Sequence, residues 1–263
     1  MLDYTIKKIK GLPLGQFDIL EKTGLVQHAF TTKHDADGKT FDLNPKADKQ
    51  NFQKNIRLLA ESLDFPVEGF TLSDQTHDLN VLPITWEDRG KGVVKPRNYK
   101  NIDALITDEK NIMLTTFFAD CIPLYILDTL TPAIGMAHSG WKGTVGQIGV
   151  LTLKAMSKHY GTRAKNCMVA IGPGIGPHAF EIGVDVAEKI FALSPTNVKS
   201  LNKGKFLADL WKINRDIMYR NGVPEKNIVM AEHCTYMCKD SYFSYRREEG
   251  QTGRMAACMA LID

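Results

Sequence analysis

Residues 102–138 carry four short apolar runs in succession, IDALITD, NIMLTTFFAD, IPLYILD and PAIGMAH, separated only by charged or turn-forming residues. Each run has strand length and is too short for a helix with its own apolar face. Strands leave backbone donors and acceptors unpaired at their edges, so consecutive ones must join a sheet. This stretch therefore demands a sheet at the centre of the chain, with the remaining segments built around it.

Those segments mix both periodicities. LVQHAFTT (25–32) reads as an early strand and GKTFDLNPKAD (38–48) as a loop. Helical spacing follows in KQNFQKNIRLLAESL, where Phe52, Ile56, Leu59 and Ala60 share a face. FPVEGFTLSDQTHDLNVLPI places His77 in a turn between two extended pieces. TVGQIGVLTLKAMSKHYG predicts one helix ended by Gly161, and NCMVAIGPGIG a strand running into a rigid glycine-proline loop. VDVAEKIFAL and GKFLADLWKINRDIMYRNGV predict two more helices, the second with Leu207, Leu210, Trp211, Ile213, Ile217 and Met218 as its apolar face. NIVMAEH and RMAACMALI are strands, and SYFSYRR is an edge or loop segment. The regular βαβ alternation of a doubly wound sheet is missing. The expected fold is α+β, a single compact domain over residues 1–263 with mixed β-sheet layers and flanking helices.

Composition narrows the function classes. With 263 residues, 43% of them hydrophobic, the chain can bury a substantial core. A net charge of +3 is spread along the chain. The most basic stretch, KGVVKPRNYK (91–100), offers only Tyr99 for stacking, so nucleic acid is not an expected partner. Nothing approaches the ~20 apolar residues needed to span a bilayer, and MLDYTIKKIKGLPLGQF lacks a secretory pattern. Five cysteines form an odd, sparse set that points to a reducing, cytoplasmic compartment rather than a disulfide framework.

The chemistry centres on Cys121 and His138, each at the end of an apolar run. Three roles are open to them: nucleophile and base, two metal ligands, or two buried side chains. Glycines 140 and 143 flank Trp141, allowing close backbone approach to a ligand beside an aromatic wall. His77 lies among polar turn residues, where core packing does not explain it. One thiolate and two imidazoles suit zinc and leave a fourth position open. The spacings, 77 to 121 and 121 to 138, match no compact zinc finger, so spacing alone does not select a role.

The chain resembles the YfiH/YlmD-like proteins of the multicopper polyphenol oxidase, or laccase-domain, family. The matching stretches are Q75-T-H77, D103-A-L-I-T107, A119-D-C-I-P123, H138-S-G-W-K-G143, I171-G-P-G-I-G176, C234-T235, F243-S-Y-R-R247 and T252-G-R254. The resemblance implies a YfiH-like fold, a fold likened to toxin catalytic domains that carry a cysteine–histidine pair. It implies that His77, Cys121 and His138 hold zinc, with copper as the alternative. It also implies purine nucleoside phosphorolysis with inorganic phosphate, together with adenosine deamination.

Asp120, next to Cys121, is then the candidate proton shuttle. Lys142 and Arg254, followed by Arg246 and Arg247, are the candidate phosphate contacts, helped by backbone amides of GWKGTVG. Copper-dependent phenol oxidation, a Cys121–His138 hydrolase and partner binding are the competing readings. Oligomeric state is left open. The chain departs from the family where Lys33 and Asn44-Pro45 replace an arginine and an Asn-Leu-Gly stretch, where Gly174 stands for a frequent cysteine, and where Lys142 replaces arginine. His34 and Asp35 read as a solvated turn. Cys167 and Cys258 read as buried, Cys234, Cys238 and His233 as a weak second metal site, and the scattered methionines as packing.

Overall fold

The computed structural model describes residues 3–263. In chain order the strands are β1 (Tyr4–Ile9), β2 (Leu12–Phe17), β3 (Val26–Thr31), β4 (Phe70–Leu72), β5 (Val81–Pro83), β6 (Ala104–Thr107), β7 (Met113–Phe118), β8 (Ile122–Asp128), β9 (Ala133–Ser139), β10 (Cys167–Ile171), β11 (Glu181–Ile182), β12 (Val198–Ser200), β13 (Phe206–Ala208), β14 (Ile228–Met230) and β15 (Met255–Leu261). The helices are α1 (Asp18–Glu21), α2 (Lys49–Ser62), α3 (Trp141–Val145), α4 (Ile148–Tyr160), α5 (Val184–Leu193) and α6 (Leu210–Arg220).

Two six-stranded sheets and one small sheet form. The first runs β1-β2-β3-β15-β7-β4 and the second β14-β10-β8-β9-β6-β5. Both are mixed: β4–β7, β5–β6 and β10–β14 are parallel pairs, whereas β8–β9 and β15–β7 are antiparallel. The four apolar runs at 102–138 become β6–β9, but β7 crosses to the first sheet while the other three pair in the second.

Alternating side chains explain how the sheets stack. Along β15, Met255, Ala257, Met259 and Leu261 enter a core shared with Tyr125, Leu127, Ile134 and Met136 of the second sheet. The intervening Ala256, Cys258 and Ala260 join Phe52, Ile56 and Leu59 of α2 on the opposite face. Along β8, Ile122, Leu124 and Ile126 face a third core with α4, α5 and α6. The result is an α+β domain with α2 outside one sheet and three helices outside the other.

Two expected helices differ from the observed ones. Phe206–Ala208 pairs between β11 and β12 instead of opening a helix, and α6 begins only after Asp209, whose carboxylate accepts from Lys212 N at 3.0 Å. Leu207 therefore belongs to a strand. The predicted helix at 144–161 is split, because Gly146 and a left-handed Gln147 (φ +56°) separate α3 from α4. Gly161 does cap α4, at φ +72°. No helix among the described residues is long and apolar enough to cross a membrane.

Candidate metal centre and its cleft

Antiparallel pairing of β8 and β9 sets Pro123 opposite His138, which brings Cys121, just ahead of β8, to the end of β9. The third donor arrives on the loop between β4 and β5. That loop is pinned to the sheet where Asp74 and Ile102 exchange backbone hydrogen bonds of 3.0 and 3.1 Å. Its His77 sits in the left-handed region, φ +63°.

One donor atom from each of His77, Cys121 and His138 lies within 4.8 Å of the others. The Cys121 Sγ to His77 Nε2 distance is 3.7 Å, and the two imidazole centroids are 4.9 Å apart. Tetrahedral zinc with ordinary bond lengths holds nitrogen and sulfur ligands about 3.5 Å apart. Donor types and spacing therefore fit a metal of that kind. Gly140 makes the approach possible: a Cβ there would lie 2.9 Å from Cys121 Sγ and 3.1 Å from His77 Cδ2.

Asp103, fully buried at the entrance to β6, organises the cluster. Its Oδ1 meets His138 Nδ1 at 2.8 Å and accepts from His77 N at 3.0 Å; Oδ2 accepts from Thr76 N and Asp78 N at 3.0 and 2.9 Å. Burial alone would raise its carboxyl pKa, but the His138 ring and the converging amides hold it below the usual range. Burial would likewise raise the Cys121 thiol, yet His138, with help from His77, brings it down to about 6. Burial pulls His138 down, whereas Cys121 and Asp103 push it up to about 9. Without a metal, the two opposed shifts favour a thiolate beside an imidazolium.

The cluster lies in the wall of a cavity of about 680 Å³. Of the other sequence candidates, Asp120, Trp141, Lys142, Arg246 and Arg254 line it, and so does Asn44-Pro45. The cations meet aromatic faces: Lys142 lies 5.8 Å from the Trp141 centroid, Arg246 5.7 Å from Phe180 and Arg254 6.0 Å from Tyr245.

Asp120 bends sharply, with φ +85°, and both its oxygens are occupied. Oδ1 accepts from Thr235 Oγ1 at 2.6 Å, and Oδ2 from Ser244 Oγ and Arg246 N at 3.0 and 2.7 Å. Arg247 does not join the cavity lining. Its guanidinium instead braces the carbonyls of Thr235, Tyr236 and Tyr242 and pairs with Glu248.

The second cysteine group does not converge on a metal position. Cys234 Sγ accepts from Gly176 N at 3.1 Å, while His233 Nδ1 turns to Tyr242 Oη at 3.1 Å. Asp35 folds its own turn by accepting from Asp37 N and Lys39 N, and neither it nor His34 lines the cavity. Cys167 and Cys258 are fully buried.

Sequence reasoning assigned no role to Asp103, Gln75, Phe117, Tyr245, Lys46 or Arg97. Gln75 matches strand β7 like a short extra strand, accepting from Phe117 N and donating to Phe117 O, both at 2.7 Å. Arg97, from the basic stretch, lines the cavity while paired with Asp74 at 3.2 Å. Asp103 did carry a signal: a carboxylate opening a fully buried, mostly apolar strand must find donors in the interior.

The family model described as multi-copper polyphenol oxidoreductase laccase matches residues 27–262. Purine nucleoside phosphorylase YlmD of Bacillus subtilis (strain 168) is 33% identical over 215 residues, covering 79% of this chain and 76% of the relative. The crystal structure of the Bacillus licheniformis hypothetical protein YfiH superposes with a TM-score of 0.89 at 26% identity, covering 98% of this chain and 99% of that one. YlmD from Geobacillus stearothermophilus superposes equally well, TM-score 0.89, at 28% identity over the full length of both chains. The chain belongs to the multi-copper polyphenol oxidoreductase laccase family and has the YfiH/YlmD-like fold, with a His-Cys-His cluster that can hold a metal.

Proposed function

We propose that this chain is a zinc-dependent purine nucleoside phosphorylase that also deaminates adenosine, taking adenosine, inosine, guanosine or S-methyl-5′-thioadenosine as substrate. The observation that carries the reading is the three-donor cluster in the wall of a cavity that also presents aromatic faces and cations. The name of the YlmD relative supports the phosphorylase half. His77, Cys121 and His138 would hold the metal, and a zinc ion there supplies Lewis acidity at neutral pH.

The chain's own groups divide the remaining work. In phosphorolysis a phosphate oxygen bonds to C1′ while the glycosidic bond breaks and the purine departs with that electron pair. Lys142, Arg246 and Arg254 are the cations assigned to phosphate, since each lines the cavity. Trp141, Phe117, Phe180 and Tyr245 offer flat faces to the purine and sugar. Asp103 keeps a proton on His138 Nδ1, so Nε2 is the donor turned to the cluster. In deamination a water oxygen bonds to C6 and ammonia leaves. Asp120 is the proposed proton shuttle; its three hydrogen bonds hold it in place and leave one lone pair on Oδ1 to take a proton.

Copper-dependent phenol oxidation is the second reading, favoured by the family description. A multicopper relay needs several centres, and among the described residues one three-donor group comes together. Chromatography of adenosine with zinc-loaded protein, with and without phosphate, separates these readings. Adenine and ribose 1-phosphate should form only with phosphate, and inosine in either buffer. Cys121→Ala should lose zinc and product together. Absence of any nucleoside product from fully zinc-loaded native protein would reject the proposal.

A further inference from the structure

We propose that Asp103 is the positioning residue for both histidines of the cluster, fixing the ring of His138 and the backbone of His77 before any metal arrives. The inference rests on the metal reading above and adds to it a single residue that prepares two of the three donors.

The geometry is specific to each histidine. Asp103 grips His138 at two points: its carboxylate meets the ring Nδ1 at 2.8 Å, and its own carbonyl accepts from His138 N at 2.8 Å. With the Nδ1 proton held by the carboxylate, Nε2 is the nitrogen that gives up its proton and binds a metal. The same carboxylate accepts from three successive amides, Thr76, His77 and Asp78. Successive amides converging on one anion form a nest, a conformation that includes a left-handed residue. Here that residue is His77, at φ +63°. A non-glycine residue in that region is strained, so the turn needs the anion that gathers its amides.

An amide side chain cannot replace this carboxylate. Every group around it is an N–H donor, and Asp103→Asn must turn its NH2 toward one side. On the Oδ2 side it opposes the amides of Thr76 and Asp78, opening the His77 turn. On the Oδ1 side it opposes His77 N and drives the His138 proton to Nε2, removing a metal donor.

The test is zinc affinity measured by competition with a chromophoric chelator, for native protein, D103N and Asp128→Asn. Asp128 is a second fully buried carboxylate, and its Oδ1 caps the turn after β8 by accepting from Leu130 N and Thr131 N. D103N should bind zinc roughly 10–100-fold more weakly, whereas D128N should lose thermal stability and keep its affinity. Imidazole nitrogen NMR of the zinc-loaded native protein should place the His138 proton on Nδ1. Native zinc affinity in D103N, or a native His138 protonated on Nε2, would overturn the assignment. If D103N does not fold, the native tautomer decides. A native protein that takes up no zinc rejects the metal reading itself, and this inference with it.

Discussion

His28 and His138 are equally buried, 1% and 4% exposed, and each sits in a strand of a six-stranded sheet. Their pKa values are shifted in opposite directions. His28 lies between the sheets against Phe17 and Tyr125, accepts from Phe17 N at 2.8 Å through Nε2, and leaves Nδ1 without a partner. Burial, reinforced by Lys7, drives its pKa down to about 3. Burial acts on His138 in the same direction, but Cys121 and Asp103 reverse it to about 9. Burial sets the penalty for charge, and only the partners decide whether it is met. The histidine with the raised pKa is at a strand end where two loops deliver anions; the one with the lowered pKa is where only packed strands surround it.

The largest expected contrast is in turnover. His138→Gln should reduce nucleoside turnover on the order of 10⁴-fold, as for one member of a group that acts as a unit, and should abolish zinc retention. His28→Leu should leave turnover and zinc unchanged. It orphans Phe17 N and should cost about 1–3 kcal/mol of stability, read as a lower unfolding midpoint in denaturant. Equal losses of activity in the two variants would erase the distinction between a packed and a partnered histidine.

A second contrast separates the cysteines by the same logic. Iodoacetamide should modify Cys121 of the metal-free protein with a rate that rises through a midpoint near pH 6, because its imidazole partners favour the thiolate. Cys167 and Cys258, buried without such a partner, have thiols pushed up to about 12 and should stay unmodified at neutral pH. Zinc should protect Cys121. A midpoint for Cys121 at the ordinary thiol value, or no protection by zinc, would break the comparison.

What could be read from the sequence follows from how local each cause is. The four apolar runs sufficed for β6–β9, because strand periodicity is a property of the run itself. His77, Cys121 and His138 were candidates from their local settings, but only the family resemblance made them a ligand set, and their donor atoms do converge. The β1–β2 hairpin was missed: its two-residue turn is Lys10-Gly11, both at positive φ, without the Asn-Gly or Asp-Gly signal. Phe206–Ala208 was read as helix because its helix-like spacing continues into α6, and only pairing with β11 and β12 makes it a strand. Asp103 escaped for the same reason, since three of its partners lie 25–27 positions away, on a loop that folding alone brings to it.

The smallest expected effect is in acid stability, measured on metal-free protein so that zinc release does not contribute. His28 binds its proton near pH 3 when folded and near 6.5 when unfolded. Between these values the unfolded chain holds the extra proton, so stability falls on acidification by about 1.4 kcal/mol per pH unit. The Cys121–His138 pair adds little slope near neutrality. Moving a proton from thiol to imidazole leaves the number bound unchanged, and linkage senses only that number. Asp103, held low when folded, contributes stability that is lost as pH falls through its folded value, but it does so equally with or without His28. The difference between native protein and H28L therefore isolates one histidine. The native advantage of about 1–3 kcal/mol should shrink below pH 6.5, vanish between roughly pH 4.5 and 6, and invert below that. Denaturant curves that stay parallel from pH 7 to pH 4 would show that His28 is already protonated in the folded core, and that burial without a partner does not keep an imidazole neutral here.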